Sequence, residues 1–516
     1  MTYQPPSPWS GPELTKRQFL IGSGSVAVGA LAARLARAQD GSQDRANWDL
    51  IVVGAGTAGI PAAIFAARRG ARVLLIEASA QLGGTLHLST GQMSAAGTKV
   101  QKAKGIVDTP QEHFDDVWRI SKGTVNPELV RLAVFNAAGA YDWLMDAGFE
   151  MIPSHPVKGQ AHEPYSKDRY YWGVEQGISI LKVLEREIAP EIAAGRVRFL
   201  SRTEAKELIL GDGGAVVGVI TEGEDGRSAR HMAKAVLLAS GGYAANPEMF
   251  ERMTGVKHYA RMSYPYCQGA GVTMGLAAGG FVRGKENYLC NFGAIMADDE
   301  PQSVSVGRFN TYPERRPPWE IYVNAQGQRF VREDEPSVDK REHALLRQTD
   351  FRFWIVFDDE NFKAAPTPVD GWERSAYEDA FGTRPLFYRA GTLAELAAKA
   401  GIDGANLAAS VAAYNAGQGS GRDALGRTHM PRPVVKPPFY AIRHQGYSIT
   451  STAGLAVDTD LRVIRGDGSV VAGLYAAGEL LGTGQLMGRA FCGGMNVMPA
   501  LTFGQMLGAR MIPLTT

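Results

Sequence analysis

One segment, Asp49–Glu77, constrains the fold of this 516-residue chain more than any other stretch of its sequence. It contains two short apolar runs, Leu50–Val53 and Val73–Ile76, and each is typical of a buried parallel strand. We expect a helix, Ile60–Arg69, between them. The order of strand, turn, helix and second strand predicts the start of a Rossmann-like α/β sheet.

The turn carries Gly54, Gly56 and Gly59 in the pattern G-x-G-x-x-G, with Ala58 beside the last glycine. The first glycine permits the turn, the second lets a pyrophosphate approach the backbone, and the third lets the helix pack on the strand. The helix directs its free N–H groups at that pyrophosphate. Glu77 follows the second strand, where a carboxylate accepts hydrogen bonds from a ribose. The arrangement favours an adenine-dinucleotide site over a glycine-rich turn without a ligand.

The bulk composition argues against several other kinds of protein. A net charge of +1 gives no reason to expect nucleic acid or an anionic surface as the main partner. The three cysteines, Cys267, Cys290 and Cys492, match no haem or iron–sulfur spacing, and we interpret them as small buried side chains. The nine histidines show no metal-binding spacing, so we expect no metal site.

The first 38 residues have the pattern of an export signal. Lys16-Arg17 precedes an uncharged run to Ala33, and Ala36-Arg37-Ala38 matches a small-x-small cleavage site. The stretch resembles a twin-arginine signal in which Lys16 replaces the first arginine; a Sec-type signal and an uncleaved anchor are the alternatives. We expect an exported or periplasmic protein without a stable membrane span, and a polar linker over residues 39–47.

A change of composition divides the rest of the chain. The stretch 281–440 is rich in proline, arginine and aromatic residues, whereas glycine-rich sequence precedes and follows it. We therefore predict a nucleotide-binding domain in two segments, residues 48–280 and 441–516, with residues 281–440 inserted as an α+β cap domain. A terminal helix is expected over Val497–Ile512.

Six motifs follow one another in a specific order along almost the whole chain after the export signal. They are Val53–Gly59, Gly83–Thr85, Leu238–Gly242, Val323-Asn324 with Gly327–Phe330, Pro438–Tyr440 and Gly473–Glu479. Together they resemble the flavoproteins of the fumarate reductase and 3-ketosteroid dehydrogenase superfamily. The resemblance implies FAD as the cofactor and hydride exchange with a CH–CH bond next to a carbonyl. It also implies a second group of FAD-binding residues: Gly84, Thr85, Gly91, Gln92, Gly241, Glu479, Asn496 and Val497.

The sequence departs from the fumarate reductase pattern where a proton donor is expected. The resemblance implies a proton-donating arginine shortly after the G-x-R-F motif, but simple register places Ser337 there. Lys340 or Arg341 takes that place only if the loop differs in length. The histidine that the family carries beside its T-x-G-G segment is missing from Ile449–Leu455. These departures argue against a plain fumarate reductase.

The loop before Gly493-Gly494 carries the remaining catalytic candidates. Counting forward from Glu479 places the dicarboxylate-binding arginine of the family at Arg489, whereas counting back from the two glycines places it at Phe491. Ketosteroid dehydrogenases have a carbonyl-binding tyrosine at the Phe491 position, and phenylalanine has no hydroxyl. We predict substrate contact for Arg489, with a structural ion pair as the alternative. Other possible donors are tyrosines, each of which more often has a packing role: Tyr447, Tyr165, Tyr170, Tyr171 and Tyr322.

Arg489, Tyr447 and Phe491 are therefore the candidate catalytic residues, and three functions stay open. The first is an FAD enzyme acting on a CH–CH bond of a cyclic enone or ketosteroid-like substrate. The second is a reductase of a small unsaturated carboxylate. The third is a flavin-binding protein without turnover. A small-molecule substrate and a separate electron partner, such as a cytochrome, a quinone or oxygen, are expected because the sequence has no haem motif.

Overall fold

The computed structural model describes residues 48–159, 162–310 and 312–513. The predicted export signal, residues 1–38, and the predicted linker, residues 39–47, lie outside the described residues. No helix in the described part of the chain is long and apolar enough to cross a membrane.

The strands fall into one large sheet, a second antiparallel sheet and two short pairs. In chain order they are β1 Trp48–Val53, β2 Val73–Ile76, β3 Met93–Ser94, β4 Tyr170–Tyr171, β5 Val197–Leu200, β6 Thr203–Leu210, β7 Val216–Gly223, β8 Ser228–Leu238, β9 Val282–Arg283, β10 Asn291–Met296, β11 Ser305–Arg308, β12 Ile321–Val323, β13 Arg352–Asp358, β14 Phe387–Ala390, β15 Phe439–Tyr447, β16 Gly454–Leu455, β17 Arg462–Ile464 and β18 Val470–Ala476.

The helices cover the faces of both sheets. In chain order they are α1 Gly59–Arg68, α2 Lys99–Ala103, α3 Pro110–Ile120, α4 Pro127–Asp146, α5 Gly177–Ala193, α6 Pro247–Thr254, α7 Ala270–Ala277, α8 Val338–Leu345, α9 Asp359–Ala364, α10 Arg374–Thr383, α11 Leu393–Ala400, α12 Gly404–Ser420, α13 Thr483–Leu486 and α14 Val497–Met506.

The large sheet confirms the predicted strand–helix–strand unit and the division of its domain into two chain segments. Its central path runs β17-β18-β8-β1-β2-β5, and β1 pairs in parallel with both β2 and β8. The late strand β18 also pairs in parallel with β8, so the C-terminal segment completes the sheet that the N-terminal segment begins. Because β1 is covered on both faces, all its residues except Asp49 are buried.

The second sheet belongs to the inserted cap. Its path runs β11-β10-β15-β13-β12, with β14 beside β15, and its strand pairs are antiparallel. One face packs against an aromatic cluster around Phe353, and the other packs against α11 and α12. Strand β15 extends to Tyr447, so the cap sheet continues past the predicted domain boundary at residue 440.

A buried ion cluster holds the connection between α3 and β4. Arg169 is fully buried, and its guanidinium donates to Asp108 at 2.7 and 3.0 Å and to Asp116 at 2.7 Å. Three short charge-assisted hydrogen bonds offset the cost of removing these charges from water. The cluster therefore fixes the segment that leads into Tyr170 and Tyr171.

One local expectation needs correction. The terminal helix α14 ends at Met506, and a single π-helical turn follows it.

Candidate active site

A cleft opens where β1, β2, β8 and β18 end, at the edge of the sheet where open α/β folds bind their ligands. Most of the predicted cofactor-binding residues line it, and these are Gly54, Gly56, Ala58, Glu77, Gly84, Thr85, Gly241, Glu479, Asn496 and Val497. They come from both chain segments, so the cleft exists only when the two halves of the domain have folded together.

The three glycines of the first turn have different neighbours. A Cβ at Gly54 would lie 2.4 Å from the Ala239 carbonyl oxygen, and a Cβ at Gly59 would lie 1.9 Å from the Gly54 carbonyl oxygen. Packing within the protein therefore requires both. A Cβ at Gly56 would meet no described protein atom closer than the Gly83 carbonyl oxygen at 4.0 Å. The space at Gly56 belongs to the cleft, as expected where a pyrophosphate approaches the backbone.

The carboxylate of Glu77 is fixed at the end of β2. One oxygen accepts a hydrogen bond from the Ala55 N–H at 2.9 Å, and the other accepts from the Ser79 N–H at 2.8 Å. Glu77 is buried yet lines the cleft. Each carboxylate oxygen keeps a second lone pair for a ribose hydroxyl, so its geometry fits the predicted role.

The C-terminal segment contributes a second carboxyl group and a helix end. Glu479 accepts a hydrogen bond from the Ser451 N–H at 2.9 Å, and desolvation raises its pKa above the ordinary value although Ser451 opposes the shift. Asn496 and Val497 open α14 on the cleft, so the free N–H groups of this helix face the ligand space. The positive end of α14 favours an anionic ligand group there.

Three predicted residues are not on the cleft surface. Gly59 packs α1 on β1, and Gly91 packs against the Gln176 backbone, where a Cβ would lie at 2.6 Å. Gln92 follows Gly91 and does not line the cleft. Reasoning from the sequence also missed lining residues at two places: the start of β6, Thr203–Ala205, and the loop before α7, which contains Tyr264, Tyr266, Cys267 and Gln268. The aromatic Tyr-x-Tyr pattern was a usable signal for that loop.

A group of polar side chains lies between the cap helix α8 and the loop that leads into α14. The Asp339 carboxylate accepts a hydrogen bond from the Phe491 N–H at 3.0 Å and from the Glu163 N–H at 3.4 Å, and it lies 3.3 Å from the His162 ring nitrogen. The His162 and Phe491 rings pack with centroids 4.4 Å apart. Phe491 thus contributes an aromatic wall and a backbone donor to this group, without a hydroxyl.

Asp339 and Glu342 lie one helical turn apart on α8, and their pKa values move in opposite directions. Burial acts to raise the pKa of Asp339, but His162 and the two backbone N–H donors outweigh it and hold the pKa below its ordinary value. Burial, followed by the negative charge of Asp339, raises the pKa of Glu342 well above its ordinary value. Arg308 and Arg341 oppose that shift. The two shifts therefore favour the protonated form of Glu342 and the ionised form of Asp339.

Strand β10 brings Arg308 close to Tyr447. Arg308 on β11 and Gln445 on β15 both lie opposite Ala294, and Tyr447 ends β15 two residues further on. The pKa of Arg308 is raised above its ordinary value; Tyr447 makes the largest electrostatic contribution to that shift, and Glu342 also contributes. Within the described part of the chain, neither the Arg308 guanidinium nor the Tyr447 hydroxyl has a hydrogen-bond partner. Arg308 was not predicted, because nothing in its local sequence distinguishes it from other cap arginines.

Arg489, the predicted substrate-binding residue, is not part of this group. Its side chain is exposed, its Nε donates to the Glu286 carbonyl oxygen at 3.0 Å, and its backbone N–H donates to Thr124 at 2.9 Å. The backbone between Gly488 and Phe491 directs Arg489 to the surface and the Phe491 N–H to Asp339. Arg489 therefore lies apart from the acids around Asp339, and its contact with substrate stays a prediction.

The remaining candidates have structural contacts. Ser337 is the N-cap of α8, and its hydroxyl oxygen accepts a hydrogen bond from the Lys340 N–H at 3.3 Å. The position at which the resemblance implies a proton-donating arginine is therefore the start of a helix in this protein. Tyr165 donates to the Gly493 carbonyl oxygen at 2.5 Å, and Tyr171 shares a hydrogen bond with Thr98 at 2.8 Å. Two others are buried in packing roles: Tyr170 beside Gly493, and Tyr322 in the cap core.

His162, Asp339 and Glu342 place three potential ligand atoms within 4.8 Å of one another. The Asp339 carboxylate already has three nitrogen neighbours, and Arg308 contributes positive charge on the Glu342 side. A divalent cation would have to displace those donors and overcome that charge. The group is better described as hydrogen-bonded acids than as a metal site.

The cleft and the group formed by Asp339, Glu342 and Arg308 define the class of protein. The glycine turn, the fixed Glu77 carboxylate and the N-terminus of α14 fit FAD, and residues of the inserted cap approach the loop that leads into the same cleft. Together they describe an FAD-dependent oxidoreductase that acts on CH–CH bonds. The chain belongs to the FAD binding domain family, whose model matches residues 49–496.

Known proteins of this family include reductases. The chain is 29% identical over 466 residues to a fumarate reductase (cytochrome) from Shewanella frigidimarina, covering 89% of this chain and 76% of that protein. The open conformation of a flavocytochrome c3 fumarate reductase is similar with a TM-score of 0.69 and 26% identity, covering 93% of this chain and 80% of that one.

A ketosteroid dehydrogenase shares the fold. The 3-ketosteroid delta1-dehydrogenase from Sterolibacterium denitrificans is similar with a TM-score of 0.68 and 20% identity, covering 90% of this chain and 99% of that one. The predicted superfamily, the two-segment fold with its inserted cap, and FAD as cofactor are confirmed.

Proposed function

We propose that the protein exchanges a hydride with a CH–CH bond adjacent to the carbonyl of a flat, cyclic substrate held between the cap and the FAD cleft. The observation that carries this proposal is the pair of unpartnered donors, Arg308 and Tyr447, beside the protonated acid Glu342. Aromatic walls at His162 and Phe491 suit a ring.

Each residue has a distinct task in this mechanism. Bound FAD supplies the two-electron chemistry, accepting or giving a hydride at one carbon of the pair. Arg308 and Tyr447 donate hydrogen bonds to the substrate oxygen, where negative charge develops as a hydride adds to the β-carbon in reduction or as the α-carbon loses its proton in dehydrogenation. Glu342 holds that proton at a pH at which an ordinary glutamate is ionised. Reduction adds a hydride and a proton to a C=C bond, and Glu342 gives up its proton in that direction. Dehydrogenation removes a hydride and a proton, and the ionised form of Glu342 accepts the proton.

A second candidate substrate is an unsaturated carboxylate. The planar guanidinium of Arg308 can bind both oxygens of a carboxylate, and it forms no salt bridge within 4.0 Å to a described carboxylate, although the charge of Asp370 acts on it from further away. The similarity to a fumarate reductase supports this alternative. In this case Arg308 takes the role that the sequence assigned to Arg489.

Substitution of Arg308 tests both candidates. Arg308→Gln should lower kcat by about 100- to 1000-fold, the usual cost of losing one charged donor at a developing oxyanion. Arg308→Lys separates the two substrates, because a lysine still donates to a single carbonyl oxygen but cannot bind a carboxylate bidentately. Cyclic enones and unsaturated acids should be assayed in parallel by flavin reoxidation under anaerobic conditions.

The control variant is Arg389→Gln, which removes an exposed cap arginine with the same change of charge. Flavin content should match the parent protein in every variant. Wild-type turnover of both substrate classes by Arg308→Gln would refute the assigned role.

We further propose that the protein is exported through its first 38 residues and exchanges electrons with a separate cytochrome, quinone or oxygen. The charged–apolar–small pattern of the N-terminus and the absence of a haem-attachment motif from the sequence support these two steps. Cell fractionation followed by N-terminal mass spectrometry tests the first. An intact N-terminus in the cytoplasmic fraction alone would contradict it.

A further inference from the structure

A second, shallower cleft lies between the cap and the FAD-binding domain, on the outer side of α8. It is lined by seven residues, which are Ser121, Lys122, Thr124, Lys340, His343, Arg347 and Arg489. Four of them carry a positive charge and one is a histidine, whereas none is acidic. The whole chain has a net charge of only +1, so this concentration of positive charge is local. We call these residues the basic cleft.

The positive charges of the basic cleft come from three separate parts of the chain. Lys340 lies on α8 and Arg347 lies two residues after that helix ends, and both belong to the cap. Lys122 lies in the turn between α3 and α4, and Arg489 lies in the loop before α14, both in the FAD-binding domain. Any ligand that contacts all four must bridge the two domains.

Few of these charges are neutralised within the protein. Lys340 lies 3.4 Å from the Glu335 carboxylate, and the Arg489 Nε donates to a backbone carbonyl, which leaves its terminal nitrogens available. Neither Lys122 nor Arg347 forms an ion pair with a described residue. Lys122 also adopts a left-handed backbone conformation, with a φ of 56°, that costs a lysine about 1–2 kcal/mol. The turn thus holds a cation where glycine or asparagine would be easier to accommodate.

We propose that the basic cleft binds a phosphoryl group, as a free oxyanion or as the terminal phosphates of a larger ligand, and that binding fastens the cap to the FAD-binding domain. Counting Lys122, Arg347 and Arg489 in full and Lys340 as offset by Glu335, the cleft carries about three uncompensated charges, which suits a multiply charged anion better than a single carboxylate. The His343 ring already contacts the Arg489 carbonyl oxygen at 2.8 Å and so links the two walls.

This inference goes beyond the proposed redox function, because it does not depend on the substrate bound near Arg308. The basic face of α8 and the buried face that carries Asp339 and Glu342 are separate sides of one helix. Failure of the anion test therefore leaves the CH–CH chemistry untouched, and the reverse also holds.

The test uses the FAD-loaded protein, so that phosphates do not enter the empty dinucleotide cleft. Isothermal titration with pyrophosphate should show one binding site whose affinity falls as salt is raised. The double variant Lys122→Gln/Arg489→Gln should weaken binding at least tenfold, and Arg227→Gln, which neutralises an arginine in the exposed turn between β7 and β8, should leave it unchanged. Equal flavin content and unfolding temperature check that each variant is folded.

Two further measurements refine the result. Competition with ADP shows which kind of ligand supplies the phosphoryl group. Displacement of pyrophosphate indicates a site for the phosphates of a larger ligand, and no displacement indicates a site for a free oxyanion. Hydrogen exchange should slow in both 121–124 and 338–347 when pyrophosphate binds. Absence of binding, equal binding in the double variant, or protection of only one of these segments would overturn the proposal.

Discussion

The replacement Glu77→Gln tests the cofactor half of the site most directly. Each Glu77 oxygen accepts one backbone N–H, from Ala55 at 2.9 Å and from Ser79 at 2.8 Å. A glutamine keeps one oxygen, but its amide group must then face the other N–H, so two donors oppose each other. Losing one hydrogen bond to a charged group should lower the unfolding free energy of the apoprotein by about 1.5–3 kcal/mol.

The same substitution should weaken FAD binding by a separate amount. The glutamine side chain no longer offers a charged acceptor to the ribose hydroxyls, at an expected cost of about 1.5–3 kcal/mol. Since about 1.4 kcal/mol corresponds to a tenfold change, the Kd for FAD should rise about 10- to 150-fold. Flavin fluorescence quenching gives the Kd, and urea unfolding of the apoprotein gives the stability.

The matched control for this experiment is Glu207→Gln, an exposed residue on β6 outside the cleft. It should change neither quantity, because it removes the same charge without removing a buried acceptor. A Glu77→Gln protein that retains full flavin and a Kd within twofold of the parent would refute the ribose role.

Three further outcomes are expected. Arg169→Met leaves two buried carboxylates without their cation and should lower the unfolding free energy by about 3–5 kcal/mol, whereas the exposed Arg227→Met should have almost no effect in the same urea titration. The pKa of Glu342 is higher in the folded state than in the unfolded state. Its contribution to stability is therefore present below the unfolded pKa and is lost as the pH rises through the folded pKa. Glu342→Gln should flatten the decline of stability above about pH 4.5 in a pH series, and an unchanged slope would contradict the assignment. Gly59→Ala places a Cβ 1.9 Å from a carbonyl oxygen, so it should lower the unfolding free energy by about 1–3 kcal/mol and reduce the amount of bound flavin. Gly139→Ala lies within α4, where no described atom lies within 4 Å of the new Cβ, and should raise the unfolding free energy by about 0.5–1 kcal/mol. Thermal unfolding measures both.

The cofactor half of the site could be predicted from sequence because its constraints are local. A glycine turn followed by a helix, a strand and an acid leaves few alternative folds, and the distant Gly473–Glu479 motif identified the flavin. Gly91 and Gln92 do not line the cleft, and their contact with the cofactor stays a prediction, because the presence of small residues does not show which side of a loop faces the ligand.

The substrate half could not be predicted in the same way. Arg308 and Tyr447 are 139 residues apart and become neighbours only because β11 and β15 both pair with β10. Counting from fixed motifs placed Arg489 and Phe491 in the loop that leads into α14. It could not give the direction of their side chains, which depends on how the backbone turns between Gly488 and Phe491.

The contact between Asp339 and the Phe491 backbone joins the acid–base chemistry to the position of the cap. Asp339 stays ionised because donors that include the Phe491 N–H, which belongs to the FAD-binding domain, outweigh its burial. That negative charge is the second contribution, after burial, that raises the pKa of Glu342. Separating the cap from the Phe491 loop would remove a donor from Asp339 and expose Glu342 to water, and both changes move the two pKa values back toward those of ordinary carboxyl groups. We therefore expect the acid that we propose for proton transfer to keep its raised pKa only while the cap contacts the loop beside the flavin cleft.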